Sequence, residues 1–177
     1  MVQPGRAEIV GSGFGGLVAA IALAERGWEV TVHERRDDLT AEGYGIAIQR
    51  NMTQIFECFG ILEPILAGGA KIDRRDSMDG AGKVVLSRKT ERSPYRIDRS
   101  HVIARLAERA RAAGVEILLE SHVANARPDG SITLADGATR RAELVVVADG
   151  INSAIRDSLG LLKQRIWQND GGVRVAI

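Results

Sequence analysis

The segment Gly11-Ser12-Gly13-Phe14-Gly15-Gly16 places glycines at G-x-G-x-x-G spacing. Each of the three has a physical task. Gly11 permits a tight strand-to-helix turn, and Gly13 lets the backbone approach a pyrophosphate without a Cβ in the way. Gly16 allows the following helix to pack closely on the strands. The start of that helix offers free N–H groups and a partial positive charge to phosphates, so Phe14 and Gly15 join the candidate set. Glycine clusters also make ordinary turns, and the spacing gains weight only from its setting. Glu34 lies 23 positions after Gly11, where a carboxylate accepts hydrogen bonds from an adenosine ribose. Its plainer reading is a solvated charge at a strand end. An acid here repels a 2′-phosphate, although Arg35 directly after it weakens that exclusion. The constellation points to a dinucleotide and leaves FAD and NAD both open.

A second constellation closes the stretch Leu144 to Arg156. An apolar strand runs into Asp149-Gly150, followed by Ser153 and Arg156. Asp149 therefore sits at the carboxyl end of a strand, beside the crevice where α/β sheets bind ligands. The plainer alternative is a strand-turn-helix junction, with Asn152 or Ser153 as cap and Arg156 as a surface charge.

These residues need elements to hold them. Glu8-Ile9-Val10 reads as a strand, Gly15 to Arg26 as an Ala- and Leu-rich helix closed by Gly27, and Trp28 to Glu34 as a second strand, together the size of a βαβ unit. Arg35 to Gly45 reads as a polar loop. Asn51 is the expected cap of a helix ending at Phe59, with Met52, Ile55, Phe56 and Phe59 as its buried stripe. A second short helix precedes Gly68-Gly69. Residues 71–98 read as a β-rich excursion with strands near Ser77, at Val84-Val85-Leu86 and near Tyr95. A helix returns from Ser100 to Ala113, with Val102, Ile103, Leu106, Ala107 and Ala110 on one face. Val115 to Leu119 reads as a strand. Ser131 to Gly137 reads as a strand entering a hairpin turn, and Leu144 to Ala148 as a strand buried in a parallel sheet. Gly171 to Ile177 reads as a strand without a partner, an exposed apolar edge.

The two constellations together resemble the FAD-dependent aromatic-ring monooxygenases, single-component flavoprotein hydroxylases with a p-hydroxybenzoate hydroxylase-like fold. The family's D-G-x-x-S-x-x-R element stands here as Asp149, Gly150, Ser153 and Arg156, and the resemblance makes it an FAD-binding element linked also to the reduced nicotinamide. Gly43-Tyr44-Gly45-Ile46-Ala47-Ile48 with Asn51 resembles the family's loop beside the flavin; some relatives carry a basic side chain where Ala47 stands. Tyr95-Arg96-Ile97-Asp98-Arg99 resembles the element whose arginine contacts FAD, which makes Arg99 the counterpart. A guanidinium can meet pyrophosphate oxygens bidentately, whereas its plainer reading is a solvated arginine poorly placed at a helix start. Val123 matches the position whose backbone meets the adenine. The resemblance implies an α/β fold: a Rossmann-type FAD-binding domain around a mostly parallel sheet. It divides the chain into 1–70 (FAD-binding βαβ part), 71–98 (β-rich substrate-domain excursion), 99–160 (FAD-binding domain continued) and 161–177 (start of a substrate-domain sheet). It further implies NADH or NADPH as transient reductant, O2, and hydroxylation of a small aromatic substrate.

Composition is consistent with this and excludes other classes. Lys and Arg number 24 against 23 Asp and Glu, for a net charge of +1, which gives no electrostatic case for nucleic acid or an anionic membrane. No stretch reads as a membrane span or a signal core. The lone Cys58 suits a reducing cytoplasm and removes a flavin disulfide reductase, which needs a redox pair. The resemblance also implies a later Gly-Asp element contacting the ribityl chain, and nothing after Arg156 supplies it. The expectation is therefore that these 177 residues need a missing C-terminal half or a partner chain for hydroxylation. Two rivals stand beside that reading: an NAD-linked reductase, and a non-catalytic flavin-binding remnant. His33, His101 and His122 read as structural or surface residues, and no catalytic residue is assigned.

Overall fold

A computed structural model describes residues 3–39, 45–89 and 95–166. The strand Arg6–Val10 (β1) leads through the glycine loop into the helix Phe14–Ala24 (α1), and Gly27, in the left-handed region at φ 85°, turns the chain into the strand Glu29–His33 (β2). A three-residue strand, Ile46–Ile48 (β3), follows, then helices Arg50–Cys58 (α2) and Leu62–Leu66 (α3). Four short strands come next: Gly69–Lys71 (β4), Arg74–Met78 (β5), Val84–Lys89 (β6) and Tyr95–Ile97 (β7). The helix Arg99–Ala112 (α4) begins at Asp98, whose carboxylate accepts from the Ser100 amide at 2.7 Å, an N-cap that satisfies one of the free donors. The chain closes with strands Glu116–Leu118 (β8), Val123–Ala126 (β9), Ser131–Leu134 (β10), Thr139–Arg141 (β11) and Leu144–Val147 (β12), and the short helix Ala154–Ser158 (α5).

Four strands form a parallel sheet in the order β12-β1-β2-β8. Alternation along β1 and β2 divides its faces. Ala7, Ile9, Val30 and Val32 face α1 and α4 and join a core with Leu17, Ile21, Phe56, Val102 and Leu106. Val10 faces the other way, where it packs with Val123, Ala126, Ile132 and Ile155. That second face is covered by an antiparallel three-stranded sheet, β11-β10-β9. A further antiparallel sheet, β3-β7-β4, buries Ile48 and Ile97 in the main core. The β5–β6 hairpin pairs only within itself among the described residues and exposes Met78, Val84, Val85 and Leu86.

Several expectations change. The helix α2 starts one residue before Asn51, and its N-cap is Gln49, in extended conformation and without a side-chain cap bond. Of the expected stripe, only Phe56 is fully buried and Ile55 is 39% exposed. The strand β12 is parallel as expected, but only half-buried throughout, because it is the edge of its sheet among the described residues. The strands β3, β4, β9 and β11 were not anticipated; each is three or four residues long, β3 and β4 held by the distant β7 and β9 and β11 by hairpin pairing with the adjacent β10. The excursion is anchored at both ends, since β7 pairs with β3 and β4 on its two sides. The expected strand at 171–177 and the loop glycine and tyrosine at 43 and 44 lie outside the described residues.

Between the parallel sheet and the β11-β10-β9 layer, alternation puts three polar side chains where apolar ones would be expected. Glu8, Thr31 and His33 are all buried. They are paired rather than stranded. Glu8 accepts from His33 Nε2 at 2.6 Å on one oxygen and from Arg140 Nε at 2.9 Å on the other. His33 Nδ1 meets Ser121 Oγ at 2.7 Å, and Thr31 Oγ1 donates to Glu116 at 3.2 Å. Burial raises the Glu8 pKa, but the hydrogen bonds and charges of His33 and Arg140 outweigh it and hold the carboxyl below its ordinary value. This confirms a structural part for His33. Because the folded pKa of Glu8 lies below its unfolded value, its contribution to stability is complete above the usual glutamate range and is lost as pH falls through the lowered value. Removing one partner of such a pair leaves a buried charge uncompensated. Arg140→Met should therefore lower stability by about 2 kcal/mol, less than for a fully buried pair because Arg140 is one-third exposed. Urea denaturation checks this, and the deficit should shrink toward acid pH as Glu8 is protonated in both proteins.

Candidate nucleotide-binding site

The carboxyl ends of β1, β2, β8 and β12 converge on one cleft of about 610 Å³. Backbone bonds fix its mouth: the Gly11 amide donates to the His33 carbonyl at 2.8 Å, the Ala148 amide to Val10 at 2.8 Å, and the Ser121 amide to Glu34 at 2.8 Å. The loop glycines divide their tasks as sequence reasoning expects. Gly11 has φ 99°, and a Cβ there would stand 2.5 Å from the Ala148 carbonyl oxygen. A Cβ on Gly16 would lie 1.9 Å from the Gly11 oxygen, so only glycine lets α1 start this close to β1. Gly13 and Gly15 meet nothing within 4 Å. Gly13 is thus open on the cleft side, the condition for close approach by a phosphate. It is also the N-cap of α1, so the first amides of that helix have no partner within it.

Glu34 stands at the end of β2 on the cleft wall. One oxygen accepts from the Arg36 amide at 3.0 Å; the other accepts from the Ser12 amide at 3.2 Å and from the Ser12 hydroxyl. Burial pushes its pKa up, but the bonds from Ser12 and Arg36, together with the Arg36 charge, outweigh that and leave it below the ordinary value. Arg35 lies on the same wall. Opposite, Arg99 opens α4 with its guanidinium 5.3 Å from the centroid of the Phe14 ring, a cation–π contact joining two helix starts. Its Nε is buried and has no hydrogen-bond partner among the described residues. An unsatisfied buried donor is costly, and Arg99 is one of the residues lining a cleft that also holds open backbone amides. That donor set suits an anionic diphosphate.

Val123, Asp149 and Gly150 also line the cleft, with Gly150 at φ 101°. Ser153 and Arg156 do not. Ser153 is buried as the N-cap of α5, accepting from the Arg156 amide at 3.0 Å. The Arg156 guanidinium binds Asp157 at 2.7 Å and the Ile151 carbonyl at 3.1 Å. These two residues shape the turn behind Asp149 rather than the wall. Gly15 and Gly16 lie within α1 behind the wall, and Ala47 lies in β3, away from it. Sequence reasoning overlooked Ser12, Arg36 and Ser121, which line the cleft. Ser121 lies just beyond the carboxyl end of β8, and that position was the available signal. His122 is exposed on the rim, while His101 donates through Nε2 to the Pro64 carbonyl at 3.0 Å, outside the cleft.

The FAD binding domain family matches residues 6–169. The chain belongs to that family. Its curated relatives include the 2-heptyl-3-hydroxy-4(1H)-quinolone synthase of Mycobacteroides abscessus, 36% identical over 99% of this chain and 48% of the relative. The 3-hydroxybenzoate 6-hydroxylase of Polaromonas naphthalenivorans is 32% identical over 84% of this chain and 40% of the relative. Among solved structures, the tetrameric form of 2-methyl-3-hydroxypyridine-5-carboxylic acid oxygenase matches with a TM-score of 0.83 at 39% identity, covering 90% of this chain and 43% of that one. The chain thus spans about half the length of the curated relatives it matches first. The expected Rossmann-type α/β fold and FAD as cofactor stand on these matches. No helix among the described residues is long and apolar enough to cross a membrane.

The two kinds of glycine contact separate binding from folding. Gly13→Ala should keep the fold, at a cost within about 1 kcal/mol for an altered N-cap, while weakening FAD binding at least tenfold. Gly16→Ala should lower the melting temperature by several degrees, because the clash is with backbone. Thermal melts and flavin-fluorescence titrations on the two variants check the contrast.

Proposed function

We propose that the chain is the FAD-binding portion of an NAD(P)H- and O2-dependent monooxygenase that hydroxylates an aromatic ring. The observation that carries this reading is the meeting of Gly11, the open Gly13 and Glu34 from the first constellation with Asp149 and Gly150 from the second in one cleft, with Arg99 also on its walls. In this reading Glu34 accepts from the adenosine ribose. The loop from Gly11 to Gly16 and the Arg99 guanidinium hold the pyrophosphate. The backbone of Val123 meets the adenine, and Asp149 with Gly150 borders the flavin side, supported by Ser153 and Arg156. Arg35 borders the ribose end, and Ala47 follows the loop that runs near the flavin. FAD supplies the redox chemistry once reduced by NADH or NADPH; the chain's own residues bind, orient and exclude water.

The names of the relatives at 36% and 39% identity both carry a nitrogen-containing ring, and we extend that substrate class to the whole protein. The excursion around β5 and β6 is assigned to the substrate side, and a reducing, cytoplasmic setting is assigned from the single cysteine. Because the relatives run to about twice this length, cofactor binding is the share of the activity assigned to this chain.

Titration of the purified chain with FAD, followed by flavin fluorescence, tests the reading. Saturable one-to-one binding is expected, and Arg99→Met, which keeps bulk over Phe14 without the charge, should weaken it at least tenfold. Retention of wild-type affinity in that variant counts against the assignment. Affinity should be constant above the ordinary glutamate range and fall as pH drops through the lowered pKa of Glu34, since a protonated carboxyl loses acceptor capacity toward ribose hydroxyls.

A further inference from the structure

The Glu34 carboxylate is nearly saturated before any ligand arrives. An ionised carboxylate offers about four lone-pair sites. Oε2 takes the Ser12 amide at 3.2 Å and the Ser12 hydroxyl, and Oε1 takes the Arg36 amide at 3.0 Å. Among the described residues, one site, on Oε1, remains open. Ser12 is 5% exposed and lies between Gly11 and Gly13, so its hydroxyl is held by the same loop that turns the chain into α1. Its single proton goes to Glu34. A carboxylate with both oxygens open could bond both vicinal hydroxyls of a ribose; this one has a place for only one.

We propose that Ser12 is a specificity-determining positioning residue, which restricts Glu34 to reading one of the two adenosine ribose hydroxyls. The inference rests on the FAD reading above and concerns how the ribose end of that cleft discriminates. Ser12 acts through Glu34 and touches no reacting atom. Its hydroxyl both fixes the carboxylate orientation and occupies the oxygen that would otherwise take the second ribose hydroxyl.

The test compares dissociation constants of FAD and of its 2′-deoxyadenosine and 3′-deoxyadenosine counterparts. Wild-type chain should bind FAD, lose about tenfold affinity for one deoxy counterpart, and bind the other within about twofold of FAD, since a tenfold loss corresponds to one hydrogen bond. Ser12→Ala removes the hydroxyl and frees one of the two sites on Oε2, the amide bond remaining, so the formerly tolerated counterpart should now also lose affinity relative to FAD. Ser12→Gly repeats the measurement with no side chain at this position, and thermal melts verify that both variants fold. Glu34→Ala, which removes every acceptor at this position, should flatten both differences. Equal penalties for the two counterparts in wild type overturn the proposal, as does an unchanged pattern in both Ser12 variants or a pattern that survives Glu34→Ala. Absence of FAD binding by the wild-type chain overturns instead the reading beneath it, and the first titration shows which has failed.

Discussion

The contact on which the site depends is between Gly16 and the carbonyl oxygen of Gly11. It leaves no room for a side chain, and it sets how closely α1 approaches the end of β1. From that closeness the rest follows. The helix start opens directly onto the cleft, Phe14 is placed under the Arg99 guanidinium, and α1 packs on α4 so that two helix N-termini border one space. Phosphate recognition here is a property of backbone placement, with one arginine added.

The strand β2 carries two polar arrangements with opposite characters. His33 points into the interlayer space, where Glu8 and Ser121 satisfy its two ring nitrogens and the side chain is fully buried. Glu34, the next residue, lies at the rim of the cleft, where it is held by Ser12 and Arg36 yet keeps a face toward the ligand space. Alternation of side chains along a strand makes this division automatic. The buried pair locks the layers that support the cleft, and the rim carboxylate remains available for recognition.

Much of this was legible in the residues. The glycine spacing, the acid 23 positions on and the Asp149-Gly150 pair all act through local backbone geometry, which short-range sequence encodes. The α4 face from Val102 to Ala110 was equally plain, because helical periodicity over fourteen residues leaves little ambiguity. What escaped was set by shortness and by distance. The strands β3, β9 and β11 are too short to show a period; β9 and β11 form hairpins with β10, and β3 exists only through pairing with the remote β7. The cap at Gln49 makes no side-chain bond, so Asn51 was the more attractive residue on chemistry alone. Ser12 looked like a spacer within the motif, since its partner stands 22 residues away. Arg156 looked like a ligand group but is spent on Asp157 and a carbonyl.

The position of β12 has a kinetic consequence. The strand that carries the glycine loop is flanked by β2, its near neighbour in sequence, and by β12, with Ala7 paired to Leu144. A ribosome delivers the βαβ hairpin early, but the second flank of β1 arrives only after all the intervening strands and helices have been made. Contacts of such long sequence separation carry a high loop-closure cost and slow folding. Until β12 is made, β1 has one parallel edge open, and Glu8 has His33 on the neighbouring strand as a partner before the layer bearing Arg140 docks.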